Sequence, residues 1–355
     1  NEECLDDDKI ESLARMAVCQ KESVPDALFN PQEALRGVEY GWKQTDLGDR
    51  VVREPYPHTP HRLARLKEFS DCFGQYAWGH LSYDCSHGNL ALLHARLADY
   101  EKPLLSHEMG IIGNYLNLDL EHRYEGTRIG CGMFESLRHN LEKAGLLHRA
   151  SQYYRNSCAW ARVVRKHNIE TARRCRYVNG YDYLGGIDCH WHRFGYPCGV
   201  LNEFYELKPD ESAADILAYN GESVLLCDHE GSRNIPGGQP LSVPVSACLY
   251  GHSALTEGRM TWTLRSSLGD CLAAGELRVG SMELGGPLLV ASITAAVPDV
   301  DRPLALVLSV RLVGGCYDLA NEWRFWAFPA TVPAQGESAS IHISESLDAP
   351  ALDLL

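Results

Sequence analysis

The sequence has no run of about 18 apolar residues, the length a membrane-spanning helix needs, so no transmembrane segment is expected. It has no long Lys/Arg stretch: 33 basic residues stand against 47 acidic ones, for a net charge of -14. Nucleic-acid binding, which neutralises phosphates with clustered cations, is therefore not expected. Neither Gly-x-Gly-x-x-Gly nor a P-loop occurs, so a nucleotide has no recognisable cradle. Without Gly-x-Ser-x-Gly there is no serine nucleophile elbow. The 13 cysteines include no Cys-x-x-Cys pair, which argues against a zinc knuckle. No cofactor is expected. An odd, scattered cysteine set fits reduced, partly buried thiols, and the expectation is a cytoplasmic chain. The sequence opens on Asn1-Glu2 rather than Met. We read it as truncated at both ends, which leaves a missing signal peptide and secretion open.

What is present fits two domains: 355 residues, 45% apolar and 23% charged. Residues 1–208 alternate helical patterns with short apolar runs, the βα style. Helices are expected over 8–21, 134–147 and 151–174, with Ile10, Leu13, Ala14, Ala17 and Val18 on one face of the first. Strand candidates lie at 27–29, 73–78, 103–106 and 180–188. The texture changes near Lys208-Pro209. After a short helix at 211–219, strands are expected at 223–227, 241–250, 260–264, 276–279, 288–293 and 304–312. Gly, Pro, Asn and Asp punctuate them at the spacing of an immunoglobulin-like sandwich over 209–330. Trp262, Trp323 and Trp326 are expected in or near its core. Residues 331–355 read as a tail, or the start of a missing third domain.

The sharpest chemical signal is Lys102-Pro103-Leu104-Leu105-Ser106-His107-Glu108-Met109-Gly110. A short apolar strand ends in polar residues, a carboxylate and a glycine. In a βα barrel that end of a strand opens onto the active site. The plainer reading is a strand-end glutamate that caps the next helix. His107-Glu108 does not continue into a zinc-protease motif, because residue 111 is Ile. Asn1-Glu2-Glu3 alone is a frayed terminus. In Asp188-Cys189-His190-Trp191-His192, alternate residues share one face of a strand. This cluster suits contact with a sugar ring, a metal or ordinary loop structure.

Together these segments resemble the catalytic barrels of glycoside hydrolase family 2. Asn1-Glu2 matches the end of that family's strand 4, and Lys102 to Gly110 its strand 7. Asp71 to Tyr76 resembles strand 6, and residues 26–30 fall where strand 5 belongs. Gly180 to Leu184, Gly199-Val200-Leu201-Asn202-Glu203-Phe204 and Lys208 resemble strand 8 and the segment after it, with Asn202 in place of the usual acid. Asn321-Glu322-Trp323-Arg324-Phe325-Trp326 resembles the end of the bacterial members' sandwich. The family's usual Ser/Thr-Glu-Tyr/Phe-Gly is here His107-Glu108-Met109-Gly110.

The resemblance implies the C-terminal half of a (β/α)8 TIM barrel, strands 4 to 8, followed by the sandwich. It implies retaining hydrolysis of β-glycosides, of the β-galactosidase or β-glucuronidase kind. Glu108 is the nucleophile and Glu2 the acid/base, at a separation of roughly 5–5.5 Å. Asn1, Tyr76, His107, Asp188, His190 and Trp191 contact substrate, with Tyr76 bonded to the nucleophile. The expected partner is a carbohydrate. The alternative is a non-catalytic carbohydrate-binding relative. A half barrel leaves strand edges unpaired, so this chain alone is expected to be inactive and to associate.

Overall fold

The computed structural model describes residues 5–32, 35, 40–44, 51–55, 59–75, 89–109, 112–188, 197–229 and 232–330. Helix α1 (Asp7–Ser23) begins where Asp6 accepts the Lys9 N–H, and it carries Asp7 and Asp8 in its first turn. It buries Ile10 and Ala17, while Val18 is exposed. Strands β1 (Tyr40–Gln44) and β2 (Val51–Pro55) pair antiparallel. Then come α2 (Thr59–Lys67), β3 (Phe73–Gln75), α3 (Asn89–Leu97) and β4 (Leu104–Met109). A 3-10 turn (Leu118–Tyr124), α4 (Gly132–Lys143), α5 (Ala150–Arg174) and β5 (Val178–Tyr183) complete this part.

Strands β3, β4 and β5 form one parallel sheet with β4 in the middle. It is backed by a core of Leu5, Ile10, Leu63, Leu66, Phe73, Leu93, Leu97, Tyr100 and Leu104. The expected barrel is not closed among the described residues: the parallel sheet has three strands. Residues 27–30 are not a strand but take a strand's place by other means. The Phe29 carbonyl accepts the N–H groups of Asp71 and Cys72, Asp71 Oδ2 accepts the Phe29 N–H, and Asn30 Oδ1 accepts the Gly74 N–H. Side chains thus satisfy backbone groups that a ladder would otherwise pair.

Helix α6 (Ala213–Asn220) is capped by Ser212, whose hydroxyl accepts the Asp215 N–H. From there the chain is β: β6 (Val224–Cys227), β7 (Asn234–Pro236), β8 (Pro240–Leu249), β9 (Gly258–Ser266), β10 (Cys271–Val279), β11 (Gly285–Ala296), β12 (Leu304–Gly314) and β13 (Tyr317–Phe328). One sheet runs β10-β9-β12-β13-β7 and the other β11-β8-β6. Their inward residues merge into one cluster, with Val243 and Val245 from β8, Ile293 from β11, Leu264 from β9, Leu308 from β12 and Phe325 from β13. This is sheet-on-sheet packing with period-2 burial.

Of the three tryptophans expected at the core, Trp323 is buried and Trp262 packs against it. Trp326 is 38% exposed. Inward positions of β13 are odd-numbered, so Trp326 falls on the outer face. Helix α5 and β13 are joined by a buried carboxylate. Glu170 accepts Trp323 Nε1 at 3.1 Å and Asn321 Nδ2 at 2.8 Å, and it pairs with Lys166. Asn321 Nδ2 also donates to the Leu225 carbonyl.

Candidate active site

Strand β4 holds the candidate chemistry. Its entry is fixed by Lys102, whose ammonium binds the carbonyls of Lys67 and Ser70. The Pro103 carbonyl accepts the Phe73 N–H. Leu104, Ser106 and His107 are buried in the middle of the sheet. The ladder to β5 then slips between Ser106 and Met109. Inside that slip Glu108 has φ 53, the left-handed region that a non-glycine residue seldom occupies. A bulge of this kind re-aims side chains that a regular strand would alternate.

Asp182 on β5 clamps the bulge. Its Oδ1 accepts the Glu108 backbone N–H at 2.8 Å, and its Oδ2 lies 3.0 Å from His107 Nδ1. His107 Nε2 is 3.8 Å from Glu108 Oε1. The imidazole is thus held between two carboxylates. With Nδ1 turned to Asp182, Nε2 faces Glu108. The Glu108 side chain is 24% exposed, open enough to meet a ligand.

Farther along the same end of the sheet, Leu184 N–H donates to the Met109 carbonyl, and Val200 and Leu201 donate to Gly185 and Gly186. Here Asp188 is buried. Its Oδ1 takes Lys208 Nζ at 2.6 Å and the Gly199 N–H at 2.7 Å. Burial pushes the Asp188 carboxyl up, while Lys208 and the Gly199 N–H draw it back. Lys208 also reaches Asn114 Oδ1 on the segment after β4. A Cβ on Gly199 would stand 2.3 Å from the Leu201 carbonyl, so glycine lets the loop close here.

Asn202 organises the turn that follows. Its Oδ1 accepts the N–H groups of Phe204 and Glu206, and its Nδ2 donates to Glu206 Oε2. An aspartate would set a second carboxylate against Glu206, which explains the amide. Tyr124 donates to Glu203 Oε1, and the Arg123 guanidinium lies 3.5 Å over the Phe204 ring.

Of the residues singled out in the sequence, the structure brings His107 and Glu108 together. It places Asp188 in the buried pair with Lys208. Asn1, Glu2, Tyr76, His190 and Trp191 lie outside the described residues. Among the described residues, no three His, Cys, Asp or Glu side chains gather as a metal-holding group. Sequence reasoning passed over Asp182. Its one signal was a charge inside an otherwise aromatic strand, Tyr181-Asp182-Tyr183.

Residues 239–329 match a family described as a domain of unknown function, DUF8488. No curated protein matches the sequence. Among solved structures, a Bacteroides uniformis β-glucuronidase is similar at 13% identity and TM-score 0.29, over 90% of this chain and 31% of that one. A Parabacteroides merdae β-glucuronidase with glycerol in its active site is similar at 21% identity and TM-score 0.20, over 25% of this chain and 11% of that one. A family 123 glycoside hydrolase from Clostridium perfringens is similar at 10% identity and TM-score 0.22, over 31% and 28%. The chain spans less than a third of the length of each.

Proposed function

We propose that the chain carries part of a retaining β-glycosidase site in which Glu108 is the nucleophile. The observation that carries this reading is the bulge at the C-terminal end of β4. There a central parallel strand lifts a carboxylate out of register, and Asp182 holds the bulged backbone of Glu108 and the His107 ring beside the carboxylate. The order of the motifs from Asn1-Glu2 to Asn321–Trp326 supports it independently. In the first step Glu108 attacks the anomeric carbon while Glu2, protonated, gives its proton to the departing oxygen. In the second step Glu2 takes a proton from water, which releases the sugar from Glu108. His107 and Asp182 are positioning residues. Asp182 fixes the bulged backbone of Glu108 and the His107 ring, which lies beside the Glu108 carboxylate.

Two measurements on an intact parent protein that contains this chain and hydrolyses aryl glycosides test the assignment. Glu108→Gln removes turnover of p-nitrophenyl β-glycosides with the fold unchanged by circular dichroism. A 2-deoxy-2-fluoro aryl glycoside of a hydrolysed sugar leaves its glycosyl group on the peptide that contains Glu108, read by mass spectrometry. Turnover that persists in the variant, or a label on another residue, would exclude Glu108 as the nucleophile.

A further inference from the structure

Helix α5, strand β5, helix α6 and the residues that lead into it share a buried polar cluster that the proposed reaction does not use. Arg165, in the middle of α5, is 1% exposed, and its Nη1 donates to Glu211 Oε1 at 2.7 Å. The Glu211 side chain is 2% exposed. Tyr219 of α6 is buried in one cluster with Met109, Ile169 and Ala172, and Tyr183 of β5 packs against that cluster. The two phenols and the ion pair lie within one another's electrostatic reach. Burial pushes both phenols up, and the Arg165 guanidinium draws them back.

The ion pair uses only part of what these side chains offer. Arg165 Nε, Glu211 Oε2 and the hydroxyls of Tyr183 and Tyr219 are all buried, and no protein group meets them in good hydrogen-bond geometry. Tyr219 comes nearest to a partner, with its hydroxyl close to the Arg165 guanidinium. Folded proteins seldom leave one such atom unmatched, and a group of them in one place points to something that binds there. The chemistry of the set says what. Nε–H only donates, the carboxylate oxygen only accepts, and each phenol does either. An anion would meet Glu211 and a cation would meet Arg165, while the charges of the pair already cancel. A small neutral molecule that both donates and accepts fits. Water accepts from Nε–H, gives a proton to Oε2 and has bonds to spare for the hydroxyls.

We infer that Arg165, Glu211, Tyr183 and Tyr219 form a buried hydration site, in which ordered water completes the ion pair and joins α5, β5 and the lead into α6. The site gives the chain that passes from the parallel sheet into the sandwich a polar seat that direct side-chain contacts do not supply. Tyr183 follows Asp182, the clamp of the Glu108 bulge, so neighbouring residues of β5 serve the water and the clamp. The inference stands whatever the role of Glu108, because it uses none of that residue's chemistry.

A crystal structure of the full chain, at a resolution that shows ordered water, is the direct test. Water is expected within about 3.2 Å of Arg165 Nε and of Glu211 Oε2, with a tyrosine hydroxyl bonded to it. Protein groups bonded directly to Nε and Oε2, or a peak whose height and contacts mark a chloride or a metal ion, overturn the inference. Magnetic relaxation dispersion of water oxygen gives the test in solution, since its amplitude counts long-lived internal waters. The comparison is with the double variant Arg165→Met/Glu211→Leu, which replaces both charges by apolar groups, an exchange that buried pairs often tolerate. The variant is expected to lose the contribution of at least one long-lived water. An unchanged amplitude in the folded variant overturns the inference. If the variant does not fold, the crystal structure decides.

Discussion

Asp182 carries the residue-scale argument, because one side chain holds both the bulged backbone and the His107 ring. Asp182→Ala releases both. Under the proposed function kcat/KM falls by up to about a hundredfold, the effect of a misplaced reacting group. The far-ultraviolet circular dichroism stays as it was. Loss of secondary structure in step with activity would make Asp182 a folding residue instead. The cysteines give a second test at this scale. Burial pushes the Cys227 thiol up to about 11 and raises Cys175 and Cys248 as well, whereas Cys19, Cys271 and Cys316 are exposed. A brief pulse of iodoacetamide on the native protein, followed by peptide mapping, is expected to label the exposed three and spare the buried three.

At the scale of elements, the pair Asp188–Lys208 sets the loop after β5 against the loop after β4. Its side chains are only 6% and 2% exposed. Asp188→Asn leaves the Lys208 ammonium buried without its counter-charge, at an expected cost of about 3–5 kcal/mol in urea unfolding. The double variant Asp188→Asn/Lys208→Met costs less than that single change, because the uncompensated charge is gone. A double variant as unstable as the sum of the singles would contradict this.

Element by element, the sequence was legible where burial is periodic. Helix α5 was expected at 151–174 and runs 150–174. Strand β12 was expected at 304–312 and runs 304–314. Strand β13 escaped as a strand because Asn321 occupies an inward position and Trp326 an outward one, which breaks the apolar alternation. The site was legible at His107 and Glu108, which are adjacent in sequence. Asp182, some 75 positions away, becomes a partner only through the register of β4 on β5. No pattern along one strand encodes that register.

At the scale of the whole molecule, Glu170 ties helix α5 to the sandwich through Trp323 and Asn321. Lys166 on the same helix pairs with it, but the indole and amide donors come from the sandwich, so both parts are expected to unfold in one transition. Far-ultraviolet circular dichroism and tryptophan fluorescence should give coincident urea midpoints. Trp323→Phe removes the indole donor and leaves a smaller ring in a closed core. The expected cost is about 1–3 kcal/mol, seen as a lower midpoint by both probes. Separate midpoints would show two independent folding units.

The same clasp has a consequence for synthesis. Trp323 follows Glu170 by 153 positions. A ribosome adding about 5–20 residues per second delivers the indole roughly 8–30 s after the glutamate. Throughout that interval Glu170 has Lys166 on its own helix but neither of the donors that the sandwich supplies. The helix can form on the nascent chain, but its final docking waits until the last strand of the sandwich emerges.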